Sequence, residues 1–199
     1  MININNINDS EPYKIFHFLY EKALEKKQTN IEAVVISSFD TNLNEVDSRF
    51  VNLKYINNNE WIFFTNYNSP KANQFYAHQQ ISVLFYWNAT ATQIRIKANI
   101  NKTAEHFSDK HYNGRSIYKN ALAHSSDQSF EIDSYDKFLS IYDKVLLNKD
   151  LLLQRPSYWG GFSFDPYYFE FWEGDNNRLN KRDSYKLVDN EWHHKILQP

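Results

Sequence analysis

Cationic side chains recur along this chain beside aromatic rings and neutral hydrogen-bonding groups. Arg49-Phe-Val-Asn-Leu-Lys54 carries a cation at each end, and Phe63-Phe-Thr-Asn-Tyr-Asn-Ser-Pro-Lys71 joins Phe64 and Thr65 to Lys71. Gln93-Ile-Arg-Ile96, the group His111, Arg115 and Lys119, the pair Gln128-Ser129 and Trp159-Gly-Gly161 follow. Glu170-Phe-Trp-Glu-Gly174 then leads into Arg178, Asn180 and Arg182. Guanidinium and ammonium groups are the usual phosphate ligands, and aromatic walls exclude water from a bound ring. The pattern therefore suits a phosphorylated, ring-bearing small molecule. Singly, each cation reads as a solvated face or surface ion pair and Trp159 as core; only their order along the chain gives them weight.

Other groups read as structural. His106, Asp109 and His111 have ligand-like spacing but lie on a polar helical face without a further ligand, so no metal is expected. His193 and His194 are neighbours in a strand and point to opposite faces. Asp47, Glu170 and Glu173 are expected to be solvated or structural carboxylates. The absence of cysteine excludes thiol nucleophiles, thiolate metal sites and disulfides.

The elements that must position these groups alternate between strand and helix patterns. A helix is predicted from Ser10-Glu-Pro12 to about Lys27, with Ile15, Phe18, Leu19 and Ala23 at helical spacing. Strands are predicted at 33–36, 50–55, 61–64, 81–87 and 93–100, the early ones as a β meander with a turn at 57–60. Gln93 and Arg95 share the polar face of the last. Short helices are expected at 71–78 and 104–112. Ser134 caps a longer one with an apolar stripe of Phe138, Ile141, Tyr142, Val145 and Leu146. Strand patterns return at 159–164, 167–173, 185–188 and 192–197. With no repeat or linker, residues 1–199 read as a single, mainly β domain with peripheral helices, residues 1–9 being flexible.

Lys and Arg total 22 against 24 acidic residues, a formal charge of −2, so no bulk positive field points to nucleic acid. No apolar run approaches the roughly 20 residues of a membrane span, and no secretory signal is evident, so a cytoplasmic protein without membrane partners is expected.

In order, the quoted segments resemble the pyridoxamine 5'-phosphate oxidase family, from about Glu11 to Pro199. The Ser69-Pro-Lys71 and Phe85-Tyr-Trp87 runs are also similar to the phenazine-biosynthesis flavin oxidase branch. The resemblance implies an FMN-binding split β-barrel, assembled as a homodimer. It places Arg49, Lys54 and Phe64 along the flavin, Thr65 and Lys71 at its phosphate, and Gln93 near its ring or ribityl chain. Gln128, Ser129, Trp159 and Arg182 match positions that come largely from the second subunit. A phosphorylated pyridine substrate would be held by Lys54, His111, Arg115, Lys119 and Asn180, with Arg178 as the catalytic residue beside the reacting carbon. The implied reaction oxidises the substrate at C4', with O2 as acceptor and hydrogen peroxide as product. The chain departs from the common pattern at Pro70, His111, Lys119 and Asn180, where the family usually has Arg, Tyr, Ser and His. A related oxidase of another heteroaromatic substrate and a flavin-binding protein without turnover are the alternatives.

Overall fold

The structure is a computed structural model describing residues 1–199. Ten strands and six helices follow one another: β1 (Asn3–Ile7), α1 (Glu11–Glu25), β2 (Ala33–Asp40), β3 (Glu45–Asn52), β4 (Tyr55–Asn58), β5 (Glu60–Asn66), α2 (Pro70–Ala77), β6 (Gln80–Trp87), β7 (Thr92–Lys102), α3 (Glu105–Asn113), α4 (Ile117–Ser125), α5 (Tyr135–Leu147), α6 (Lys149–Leu152), β8 (Trp159–Glu173), β9 (Lys181–Val188) and β10 (Glu191–Ile196). α1 forms because Tyr13, Phe16, Leu19, Tyr20 and Ala23 fall on one buried face behind Pro12 in the first turn. It stops where Lys27 takes a left-handed φ of 56°.

All ten strands form one sheet, in the order β1-β4-β5-β8-β7-β6-β2-β3, with β9 on β8 and β10 on β9. The hydrogen-bonded path does not close. It is nevertheless strongly curled. β5 and β6 stand three strand spacings apart, about 14 Å in a flat sheet, yet the rings of Trp61 and Phe85 are 6.3 Å apart. Phe16 of α1 lies within 4.4 Å of Trp61 and 5.5 Å of Phe85, filling the concave side. One core of 29 buried residues joins this helix to both halves of the sheet.

β8 is the long spine. Residues 159–164 pair with β5, 162–173 with β7, and 168–173 with β9. The predicted meander is corrected here: β5 pairs with β4 and β8, whereas β6 pairs with β2 and β7. The strand expected at 50–55 is the end of β3 and the start of β4, broken at Leu53-Lys54. The two strands expected at 159–164 and 167–173 are one. The leading residues, expected to be flexible, instead contain β1, parallel to β4, and the Ile2 amide donates to Tyr20 Oη at 2.9 Å.

Candidate functional site

At the end of β5, the chain turns through Ser69 into α2, whose first turn contains Pro70 and Lys71 and no acidic residue. A helix start so composed favours anions. Lys71 is 8% exposed, with Nζ 3.4 Å from Thr65 Oγ1 and 3.3 Å from Ser69 Oγ, and it has no carboxylate partner. Burial, reinforced by the nearby Arg49 charge, lowers its pKa to about 8. Arg49 reaches across from β3. Its Nη1 donates to Ser38 Oγ at 2.5 Å and its Nη2 to Gln74 Oε1 at 3.0 Å, while Asp47 stands 3.5 Å away. Buried Gln74 on α2 also donates to Asp47 at 2.7 Å, so an amide rather than a carboxylate carries most of Arg49's positioning. Gln128 closes this corner: its Oε1 accepts from Thr65 Oγ1 at 2.9 Å and from the Asn66 amide at 3.2 Å. Ser129, next to it, adopts a left-handed φ of 72°.

A second set of cations meets beside it. His111, in the last turn of α3, stacks on Phe64 with centroids 3.8 Å apart and planes 8° apart, and Phe64 stacks in turn on Trp159 at 5.5 Å. Tyr55 Oη lies 2.9 Å from His111 Nδ1. Burial, followed by the charges of Arg115, Lys54 and Lys119, lowers the His111 pKa to about 4, so it is neutral near pH 7. Arg115 lies over the Trp159 indole at 4.1 Å and donates from Nη2 to the Lys119 carbonyl at 2.7 Å. Its Nη1 is buried without a partner, and burial lowers its pKa to about 10. Lys54 is loosely paired with Glu32 at 3.9 Å. A cavity of about 160 Å3 opens among Phe64, Thr65, Arg115, Gln128 and Trp159, with Arg115 as its one charged lining residue.

The third set is elsewhere. Register places Gln93 of β7 opposite Trp172 of β8, and Trp172 opposite Arg182 of β9. Arg182 is not a free cation: its Nε and Nη2 both donate to Glu170 Oε1, at 3.1 and 2.7 Å. The loop from Gly174 to Asn180 is shaped by Asp175, whose amide donates to Asn180 Oδ1 at 3.1 Å. Arg178 at its tip is exposed with a left-handed φ of 61°. Held backbone of this kind in a non-glycine residue marks sites where geometry is imposed by the surroundings.

Thr65 lies opposite Gly160 in β8, twelve positions before Trp172. That is roughly 40 Å along the strand path, so the third set lies toward the opposite end of β8 from the Thr65-Lys71 corner. Gln128 and Trp159, expected to join Arg182 at a site shared between subunits, contact Thr65 and Phe64 of their own chain. The tryptophan that shares a row with Gln93 and Arg182 is Trp172, which motif reading passed over in favour of Trp159; its signal was its place in Glu170-Phe-Trp-Glu-Gly174, ten residues before Arg182. Other polar candidates are already engaged within the chain: Asp109 with Arg155, Glu173 with Lys22, and His194 with Asp183.

Residues 159–199 match the model of the pyridoxine 5'-phosphate oxidase C-terminal dimerisation region. Over 198 residues the chain is 32% identical to a pyridoxine/pyridoxamine 5'-phosphate oxidase of Legionella pneumophila (strain Lens), covering 96% of this chain and 89% of the relative. A Hydrogenovibrio crunogenus pyridoxine/pyridoxamine 5'-phosphate oxidase is 31% identical over 193 residues, with the same coverage. Among solved structures, PhzG from Burkholderia lata 383, in complex with tetrahydrophenazine-1-carboxylic acid, superposes with a TM-score of 0.89 at 26% identity, covering 96% of this chain and 93% of that one. A pyridoxamine 5'-phosphate oxidase-related, FMN-binding protein of Nostoc punctiforme PCC 73102 shares the fold, with a TM-score of 0.76 at 13% identity and coverage of 96% and 99%. Likeness over nearly the full length of both chains, together with the clustered cations, makes this chain a member of the pyridoxine/pyridoxamine 5'-phosphate oxidase family.

Proposed function

We propose that the protein is an FMN-dependent oxidase that converts pyridoxine or pyridoxamine 5'-phosphate to pyridoxal 5'-phosphate, with O2 as acceptor, in a homodimer. The observation that carries this reading is two cations without a carboxylate partner: buried Lys71, whose Nζ lies 3.4 Å from Thr65 Oγ1, and half-buried Arg115, whose Nη1 is buried and unpartnered, with Thr65 and Arg115 lining one cavity. An uncompensated buried charge is costly, and a phosphate supplies the missing anion. Two such sites side by side suit a phosphorylated cofactor and a phosphorylated substrate.

FMN, when bound, supplies the two-electron chemistry that no side chain here possesses. Lys71, Arg49 and Thr65 hold its phosphate, with Gln128 and Ser129 beside them. Gln93, Trp172 and Arg182 of a second copy meet its ring, which accounts for a single-chain cavity of about 160 Å3, below the roughly 300–1,000 Å3 of ordinary ligand pockets. Arg115, Lys54, Lys119 and neutral His111 hold the substrate phosphate, and the Phe64-His111-Trp159 stack excludes water. Arg178 and Asn180, on their shaped loop, face the reacting carbon across the dimer.

A second reading, an oxidase of a larger heteroaromatic acid, is favoured by the likeness to PhzG and by His111, Lys119 and Asn180 standing where the family pattern differs. Hydrogen peroxide release from FMN-loaded protein, assayed with pyridoxine 5'-phosphate, pyridoxamine 5'-phosphate and tetrahydrophenazine-1-carboxylic acid, separates the two. Turnover of the first two supports the proposal. Turnover of the third alone replaces it, and FMN binding with no turnover leaves a flavin-binding protein.

A further inference from the structure

Glu170 is 2% exposed, the most deeply buried carboxylate in the structure, and the chemistry above makes no use of it. Its Oε1 accepts Nε and Nη2 of Arg182, and its Oε2 accepts Nη1 of Arg95 at 2.8 Å and Tyr168 Oη at 3.0 Å. Burial alone would raise its carboxyl pKa; hydrogen bonds from Arg182 and Tyr168 and the charges of both arginines outweigh that and lower it. Such a buried ionic cluster is weak evidence for stability, because well-packed apolar residues of the same volume serve as well. What it supplies is direction.

A guanidinium has five N–H donors. Three of those on Arg182 are committed, two to Glu170 and one from Nη1 to the Gln198 carbonyl at 2.9 Å. The rest of the group, a quarter exposed, is held rigidly in the row shared with Trp172 and Gln93. Glu170, shared with Arg95, offsets part of its charge. This contrasts with Lys71 and Arg115, which keep uncompensated charge.

We propose that Glu170 is a positioning residue: it fixes Arg182, beside Gln93 and Trp172, against the polar edge of the cofactor ring rather than its phosphate. The proposal rests on the flavin reading above and deepens it.

The test compares FMN with riboflavin, which has the ring and no phosphate, by titrating apoprotein and following flavin fluorescence, with apoprotein Tm measured alongside. Glu170→Gln and Arg182→Gln should each weaken both ligands by the same factor, about tenfold, as expected for lost or misaimed hydrogen bonds to a ligand. The double variant should bind no more weakly than Arg182→Gln alone, because Glu170 acts through Arg182. Lys71→Met should weaken FMN only. Losses that multiply in the double variant, a loss confined to FMN in Glu170→Gln, or a lowered apoprotein Tm with unchanged flavin affinity would each overturn the proposal. Should Glu170→Gln not fold, Tyr168→Phe removes one of its donors and leaves the charge; a few-fold loss on both ligands supports the positioning role, and no loss rejects it. Wild-type protein that binds neither ligand removes the flavin reading and this proposal together, whereas wild-type binding with an indifferent Glu170→Gln removes only the latter.

Discussion

Lys71 and Arg115 are the residues whose physics is least explained by the fold alone, and both make testable demands. Lys71 has a pKa of about 8 in the folded chain against an ordinary 10.5. Between those values the unfolded chain holds a proton that the folded chain has shed, so this group's contribution to stability rises with pH across that window. Phosphate binding has the opposite sign, because only the charged ammonium attracts it. FMN affinity is expected to be flat from pH 7 to 8 and then to fall, up to tenfold per unit, and Lys71→Met should abolish that dependence while weakening binding at pH 7. Fluorescence titrations across pH 7 to 9.5 decide it. For Arg115, a charge-assisted hydrogen bond to phosphate is worth roughly 1.5–3 kcal/mol, so Arg115→Met should weaken pyridoxal 5'-phosphate about 10- to 150-fold. Since the same change removes a half-buried guanidinium with a buried, unpartnered Nη1, apoprotein Tm should hold or rise. A clear fall in Tm with unaltered ligand affinity would assign Arg115 to the fold.

At the scale of elements, the site depends on how closely β8 approaches its neighbours. A Cβ built on Gly160 would stand 2.1 Å from Tyr67 Oη and 2.9 Å from Ser108 Oγ, so this glycine is what lets α3 and Tyr67 close over the strand. Overpacking of this kind costs about 1–3 kcal/mol. Gly160→Ala is therefore expected to lower Tm by several degrees and to weaken phosphate ligands, since His111 and Arg115 ride on α3 and the turn after it; a thermal melt and a pyridoxal 5'-phosphate titration check both. Such approach distances are invisible in a sequence, whereas periodicity is not. The alternation in β7 and the strand pattern of β6 were legible, as were α1 and the Ser134 cap, whose side chain accepts the Lys137 amide. β3 was read only from Phe50 onward because Glu45 to Ser48 are exposed edge residues with no burial pattern to betray them. α4 buries only Asn120, Ala121 and Ala123, too small a stripe to register. The cations of the site were legible by type and order. Their grouping was not, because strand register decides it: pairing put Trp172, not Trp159, beside Arg182.

At the scale of the molecule, the single chain looks incomplete in three independent ways. The Gln93-Trp172-Arg182 row lies far along β8 from the Thr65-Lys71 corner. The apolar stripe of α5 contains no buried residue, although Phe138, Ile141 and Leu146 recur on one face. On the outer face of the sheet, Phe50 and Tyr86 are 74% and 57% exposed around an open groove. A twofold partner answers all three if it lays its own row against this chain's corner, and an isologous arrangement then creates two identical sites. Light scattering should accordingly report a dimer with one FMN per chain, and FMN should shift the dimer to lower dissociation concentrations by mass action. Subunit mixing gives the sharper prediction. A Lys71→Met chain and an Arg182→Gln chain each spoil both sites of their own dimers. In a mixed dimer, however, one site collects both substitutions and the other collects none. Co-refolding equal amounts makes half of the dimers mixed by random pairing, so about one quarter of all sites should regain wild-type FMN affinity. Recovery of that size is possible only if Lys71 and Arg182 reach the flavin from different chains; if the mixture binds no better than its parents, the shared site is wrong, and each chain must build its flavin pocket alone.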